Sequence, residues 1–353
     1  KYIHYGDIHK KWKGFLDCEK GSVPRIDEEK VNHLPQLQDG DLIIADASED
    51  YDGLGIATEV FNVGNQKIVA GLHTILARGN KEKIADGFKG YIQESKDFKD
   101  KLISISTGTT VYGISKTKLA DIELIIPPIN EQLAIAEVLS DVDALIEAQE
   151  ALIEKKRLIK QGVMQELLTG KRRLTGFNEK WDIFDFNDVL MKLSTNKNQI
   201  KSNEYLISGK YPVVDQGKNL LCGFSSREDK VFNCPSEGVI VFGDHTRIIK
   251  YIDFNFIIGA DGTQILISKD NVSTKYLYFA LQIKEIPDTG YNRHYKFLKK
   301  ITFQIPKHDE QIAIINILSD FDIELDSLEK KLEKMKLIKQ GMMQELLTGR
   351  TRL

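Results

Sequence analysis

Apolar residues recur at steps of three and four along two long stretches of the chain. In the first they are Leu139, Val142, Ile146, Ile153, Val163 and Leu167. In the second they are Leu318, Phe321, Leu325, Leu328, Leu332, Met335, Met342 and Leu346. Such spacing puts one apolar stripe on a helix and, sustained this far, predicts a coiled-coil seam. A helix over residues 130–169 would be on the order of 60 Å long. Pro127 and Pro128, and Pro306 in the second stretch, close the preceding strand-like runs "IELII" and "ITFQI". Asn130 and Asp309 are the expected N-caps, followed by Glu131 and Glu310, whose charge suits a helix start. Gly170 and Gly349 stand where C-cap glycines belong. Gln149 and Lys156 interrupt the first seam as register-setting polar residues do. Gly162 and Gly341 lie mid-helix, at about 1 kcal/mol each relative to alanine. They are either tolerated or mark the close approach of another backbone.

The two stretches are copies. "KQGVMQELLTGKRRL" at 160–174 returns as "KQGMMQELLTGRTRL" at 339–353, and Glu131-Gln132 returns as Glu310-Gln311 at the same offset of 179 residues. Solenoid repeats run to roughly 20–50 residues without long dissimilar insertions, so the pattern is not a solenoid. One long helix cannot bury its stripe alone, and its near-copy is the natural partner. The segments between are β-rich. Expected strands are Asp41–Ala47, His73–Ala77, Gly238–Asp244, Phe254–Ala260 and Thr263–Ser268. Lys1-Tyr2 matches Lys210-Tyr211, while the stretch with Trp181 that separates Leu174 from Lys210 has no counterpart ahead of Lys1. A Trp-containing lead-in is therefore expected there. The fold class is α+β: two β-rich modules separated by two long antiparallel coiled-coil helices in a pseudo-twofold repeat. The domains are 1–126, 127–174, 175–305 and 306–353.

Composition narrows the class. The 353 residues are 41% hydrophobic and 29% charged, which suits a globular chain of two or three domains. The first twenty residues do not read as a signal peptide, and no apolar run is long enough for a membrane span. The three cysteines, Cys18, Cys222 and Cys234, have no close spacing, which fits a reducing cytoplasm and no zinc site. Net charge is −3, which argues against coating nucleic acid by bulk charge. Residues 185–305 nevertheless hold sixteen basic and thirteen acidic side chains, and "YNRHYKFLKK" at 291–300 carries no acid.

The "IIPPINEQ" entry (Ile125–Gln132) and the Lys-Gln-Gly…Leu-Leu-Thr-Gly exit, on a helix that is doubled, resemble the DNA-specificity subunit of type I restriction–modification enzymes, over essentially the whole chain. The resemblance implies that each module is a target recognition domain reading one half of an asymmetric double-stranded DNA site. It implies that the helix pair sets the spacer, that two methyltransferase subunits dock on the scaffold and that motor–nuclease subunits can join. S-adenosylmethionine would belong to the methyltransferase partner, with no cofactor or metal on this chain.

Base readout takes polar, basic and aromatic side chains on exposed loops. In the first module the candidates are His4, Tyr5, His9, Lys10, Lys11, Thr109, Thr110, Tyr112 and Lys116. In the second they are Gln216, Lys218, Asn219, Arg227, His245, Thr246, Arg247, Tyr291, Asn292, Arg293, His294 and Lys296. No chemistry of the chain's own is expected. Pro127-Pro128 lacks the Asn/Asp and the aromatic of an adenine-methyltransferase loop, there is no Walker A pattern, and the histidines lack ligand spacing. The alternative is a coiled-coil assembly scaffold that binds no DNA.

Overall fold

A computed structural model describes every residue except Ala260, Asp261, Asp270 and Tyr291, and only the backbone of Asn196. It divides into two compact units, residues 1–151 with 330–353, and residues 152–329. The two apolar stripes each form one helix of 39 residues, Ile129–Leu167 and His308–Leu346. Each helix contributes residues to both units.

The helix starts differ from the expected caps. Asn130 and Asp309 lie inside the first turn, and the carbonyls of Pro128 and Lys307 accept the first helical N–H groups. Pro128 fixes the backbone at the first boundary, and the second helix starts two residues after Pro306. The C-cap expectation holds, with Gly170 and Gly349 at φ +70° and +69°. This left-handed conformation is open to glycine without a Cβ penalty. Gly162 and Gly341 face open space, since a Cβ at either would meet nothing within 4 Å. Among the chain's described residues, no other backbone closely approaches either glycine.

Inside the first unit, helix residues 129–151 meet residues 330–353. Lys336 pairs with Glu150 at 2.6 Å, Lys339 with Asp143, and Arg352 with Glu131 at 2.5 Å. Inside the second unit, Lys156 pairs with Glu324 at 2.6 Å, Lys160 with Asp322 at 2.5 Å, and Arg173 with Glu310 at 2.6 Å. In each set the partner numbers run in opposite directions. Beneath these pairs Leu139, Ile146 and Ile153 of the first stripe are buried, as are Leu318, Leu325 and Leu346 of the second.

The β content of the first unit centres on a four-stranded sheet in the order 14–17, 57–61, 42–45, 74–77. Ala57–Phe61 was not legible as a strand because Glu59 breaks its apolar run. Glu59 is buried, accepting the N–H groups of Gly87 and Gly90 at 2.7 and 2.8 Å and lying 3.2 Å from the buried Lys89. The second unit has two four-stranded sheets, one in the order 190–192, 263–268, 239–243, 249–252 and one in the order 223–225, 211–214, 256–258, 231–232. Strands 42–45 and 239–243 are both flanked on either side. A further pair in the second unit joins Asp182–Asp185 antiparallel to Thr302–Ile305.

Candidate nucleic-acid interface

The repeated Glu-Gln dipeptide is what fastens each module to its helix. Buried Gln132 accepts the N–H of Ala85 at 2.8 Å and donates to the carbonyls of Lys83 and Pro127. Gln311 repeats this, accepting the N–H of Ser273 at 2.8 Å and donating to the Pro306 carbonyl at 2.9 Å. An amide that satisfies three backbone groups fixes the module on the helix start, because each unpaired group would cost about 1–3 kcal/mol if buried. Glu131 and Glu310 each take a two-pronged arginine, Arg352 and Arg173, the bidentate geometry that gives the strongest charge-assisted bonds.

Held this way, the first module gathers part of its candidate set. His4 caps a short helix, Tyr5–Lys10, with its Nδ1 accepting the Gly6 N–H at 3.1 Å. The Tyr5 ring lies 4.5 Å from His4, 6.0 Å from His9 and 5.5 Å from His73. The buried Nε2 of His9 has no hydrogen-bond partner among the described residues. Tyr112 stacks on Tyr51 at 4.0 Å and pairs in register through Ser48, and Gly53 packs between Ser48 and His9. Lys10, Thr109, Thr110 and Lys116 are exposed, and Lys11, also exposed, is tied to Asp7 at 3.0 Å. Two members of this cluster were not legible in the sequence. His73 sits at φ +55° with its ring 3.2 Å from Asp46, and Tyr51 lies in a loop without a strand pattern. The usable signal was a histidine just ahead of a strand, a residue type tolerated in left-handed backbone.

The second module brings three candidate loops together. Gln216 accepts the His245 N–H at 3.2 Å through its side chain and the Thr246 hydroxyl at 2.6 Å through its carbonyl. Arg247, at φ +63°, donates to Asp288 at 2.5 Å and to the Ile286 carbonyl at 3.2 Å. Buried Asp244 accepts the N–H of Tyr295, and its carbonyl accepts the N–H of His294. Burial and the nearby Asp244 push the Tyr295 hydroxyl above its ordinary range. One expectation is corrected here. His294 is fully buried, its ring held between the Asp244 carbonyl at 2.9 Å and Thr289 at 3.3 Å, so it braces the 289–295 loop from beneath. Asn292, Arg293 and Lys296 around it are exposed, while Asn292 also bonds back to the Thr289 carbonyl. Tyr291 lies outside the described residues. Lys218 and Asn219 are exposed, and Asn219 gives its carbonyl to the buried Lys250 at 2.5 Å. Arg227 is exposed but engaged by Asp229 at 2.7 Å and Glu204 at 3.2 Å.

Comparison with known proteins agrees with this organisation. A family model described as the type I restriction modification DNA specificity domain matches residues 33–155 and again 178–337. The MjaVIII type I restriction enzyme specificity subunit of Methanocaldococcus jannaschii is 24% identical, with 96% of this chain and 91% of the relative aligned. The crystal structure of a type I restriction–modification S subunit from M. genitalium shares the fold at a TM-score of 0.58 and 18% identity, covering 96% of this chain and 88% of that one. A structure concerned with complex assembly and conformational transition of the type I R-M system matches at 0.51 and 16% identity, covering 97% and 93%.

Proposed function

The chain belongs to the type I restriction–modification DNA-specificity family, and from that premise we propose that it reads a split, asymmetric double-stranded DNA site, one half per module. The carrying observation is that the attachment repeats while the loops do not. Gln132 and Gln311 make the same amide clamp, Glu131 and Glu310 the same arginine fork, yet the modules present different side chains. Tyr5, His73 and the Tyr51–Tyr112 stack face one half-site. The other meets Gln216, His245 and Thr246 with Asn292, Arg293 and Lys296. The antiparallel ion pairs within each unit support reading the two helices as a coiled-coil pair, in the role of spacer between half-sites.

The same repeat supports two copies of one partner. Leu158 and Ile159 are exposed on the first helix, and their equivalents Leu337 and Ile338 are exposed on the second. Two identical apolar patches on one chain suit two identical methyltransferase subunits, which would carry S-adenosylmethionine and the chemistry, with motor–nuclease subunits joining them. No helix among the described residues is long and apolar enough to cross a membrane.

Single-molecule sequencing of genomic methylation, with and without the gene, tests this reading. A bipartite methylated motif that depends on the gene is the expected result. Unchanged methylation in a strain with its methyltransferase intact, together with no salt-dependent DNA affinity, would move the assignment to a non-DNA scaffold.

A further inference from the structure

In the second unit one lysine lies beneath a candidate loop rather than on it. Residues 215–219 lie in the turn from strand Tyr211–Val214 to strand Gly223–Ser225, which pair antiparallel in one sheet. Lys250 belongs to the other sheet, on strand Ile249–Ile252 and opposite Val241. It is 7% exposed, and its Nζ donates to the Asp215 carbonyl at 2.9 Å and to the Asn219 carbonyl at 2.5 Å. One ammonium therefore closes the loop from both ends and ties it to a different sheet. Burial holds that ammonium below the ordinary lysine range, and the Asp215 carboxylate acts against the shift. A buried cation is costly unless its donors are satisfied, and here the loop's backbone satisfies them.

Other groups of the loop are also held. The Asp215 carboxylate accepts the Gly217 N–H at 2.7 Å. The Gln216 carbonyl accepts the Thr246 hydroxyl, and its side chain accepts the His245 N–H. Space around Gln216 is filled: a Cβ at Gly262 would lie 2.8 Å from its Oε1, and one at Gly243 would lie 3.0 Å from its Cβ. The side chains of Lys218 and Asn219 remain exposed above these ties.

From this arrangement we infer that Lys250 is a positioning residue for base recognition, holding the 215–219 turn so that Lys218 and Asn219 meet DNA as preset groups. The inference rests on the reading of the second module as a DNA reader. A loop ordered beforehand avoids the ordering cost at binding, and hydrogen bonds to base edges weaken steeply when their geometry is lost. Removing the ammonium therefore costs discrimination while leaving every exposed group of the loop in place. All the groups concerned belong to the second unit, so the loss falls on one half-site.

The test uses the full chain with its methyltransferase partner and duplexes carrying the methylated motif that genomic sequencing returns, intact or with either half scrambled. Lys250→Met keeps the aliphatic stem and removes the ammonium. It is expected to lower discrimination at one half about tenfold, within the range of one base contact, and to leave the other half unchanged. Asn219→Ala keeps the carbonyl that Lys250 binds. It should cost about tenfold in the native chain and no more than about twofold on top of Lys250→Met, the non-additivity of coupled positions. Without DNA, amide hydrogen exchange should quicken at 215–221 in Lys250→Met and stay slow in strands 211–214 and 223–225. A glycine inserted between Gly217 and Lys218 displaces the Asn219 carbonyl with Lys250 intact, and should give the same one-sided loss even where Lys250→Met fails to fold. Unchanged exchange overturns the inference and leaves DNA reading in place. So does an equal loss at both halves, or an Asn219→Ala cost that is the same in both backgrounds, since Lys250 is then a structural staple alone. A native complex with no discrimination at either half removes the DNA-reading assignment, and this inference with it.

Discussion

At the scale of single residues, the candidates separate by what holds them. Arg293 and His294 are neighbours in sequence, yet one is exposed and the other fully buried beneath the loop. His294→Ala is expected to cost about 1–3 kcal/mol in a denaturant melt, because it empties a fully buried ring site and removes the ring's bonds to the Asp244 carbonyl and Thr289. Arg293→Ala is expected to stay within about 0.5 kcal/mol of wild type and instead to flatten the dependence of DNA affinity on salt by one phosphate contact, or to relax one base position. Glu94 is the clearest pH reporter. Burial acts to raise its carboxyl, but Lys13 at 2.9 Å and Lys99 at 3.1 Å outweigh it and hold it below the ordinary 4.5. A depressed folded-state value means stability that is complete above pH 4.5 and lost as pH falls through that lower value. Glu94→Gln should therefore shallow the acid limb of stability against pH, and an unchanged limb would remove Glu94 from that role. None of this was readable from residue type. A histidine in a basic loop has the same letter whether its ring faces DNA or a backbone carbonyl.

Among the elements, the long helices were the most legible, since a stripe repeated every three or four residues admits no other regular structure. Leu325 lies on that stripe and is buried, so Leu325→Ala is expected to cost about 2–5 kcal/mol, read as a lower denaturation midpoint. Leu158→Asp and Leu337→Asp, on the exposed patches, should leave the midpoint nearly unchanged and reduce co-purification of the methyltransferase. A normal complex with both variants present would count against those patches as its docking surface. The short strands were less legible. Ala57–Phe61 hides a buried carboxylate whose partners, Gly87, Gly90 and Lys89, lie well downstream. The cap positions were misplaced because each helix starts, at Pro128 and Lys307, before the polar residue that resembles a cap.

For the whole molecule, two units with one attachment chemistry and two loop sets predict modular specificity. Replacing residues 181–305 with the matching segment of a relative should change one half of the methylated motif and leave the other intact. A change in both halves would mean that the units do not read independently. The chain's order alone determined the repeat, the helices, the positions of their glycine ends and the family, because these are periodic or local patterns that survive without three-dimensional context. Folding determined which polar residues are staples and which stay exposed, because that depends on burial and on partners distant in sequence. Gln132 and Gln311 looked like ordinary helix-start residues and prove to be clamps. Residues 301–305 looked like a copy of 122–126, and only the packed molecule shows that Thr302–Ile305 pairs with Asp182–Asp185.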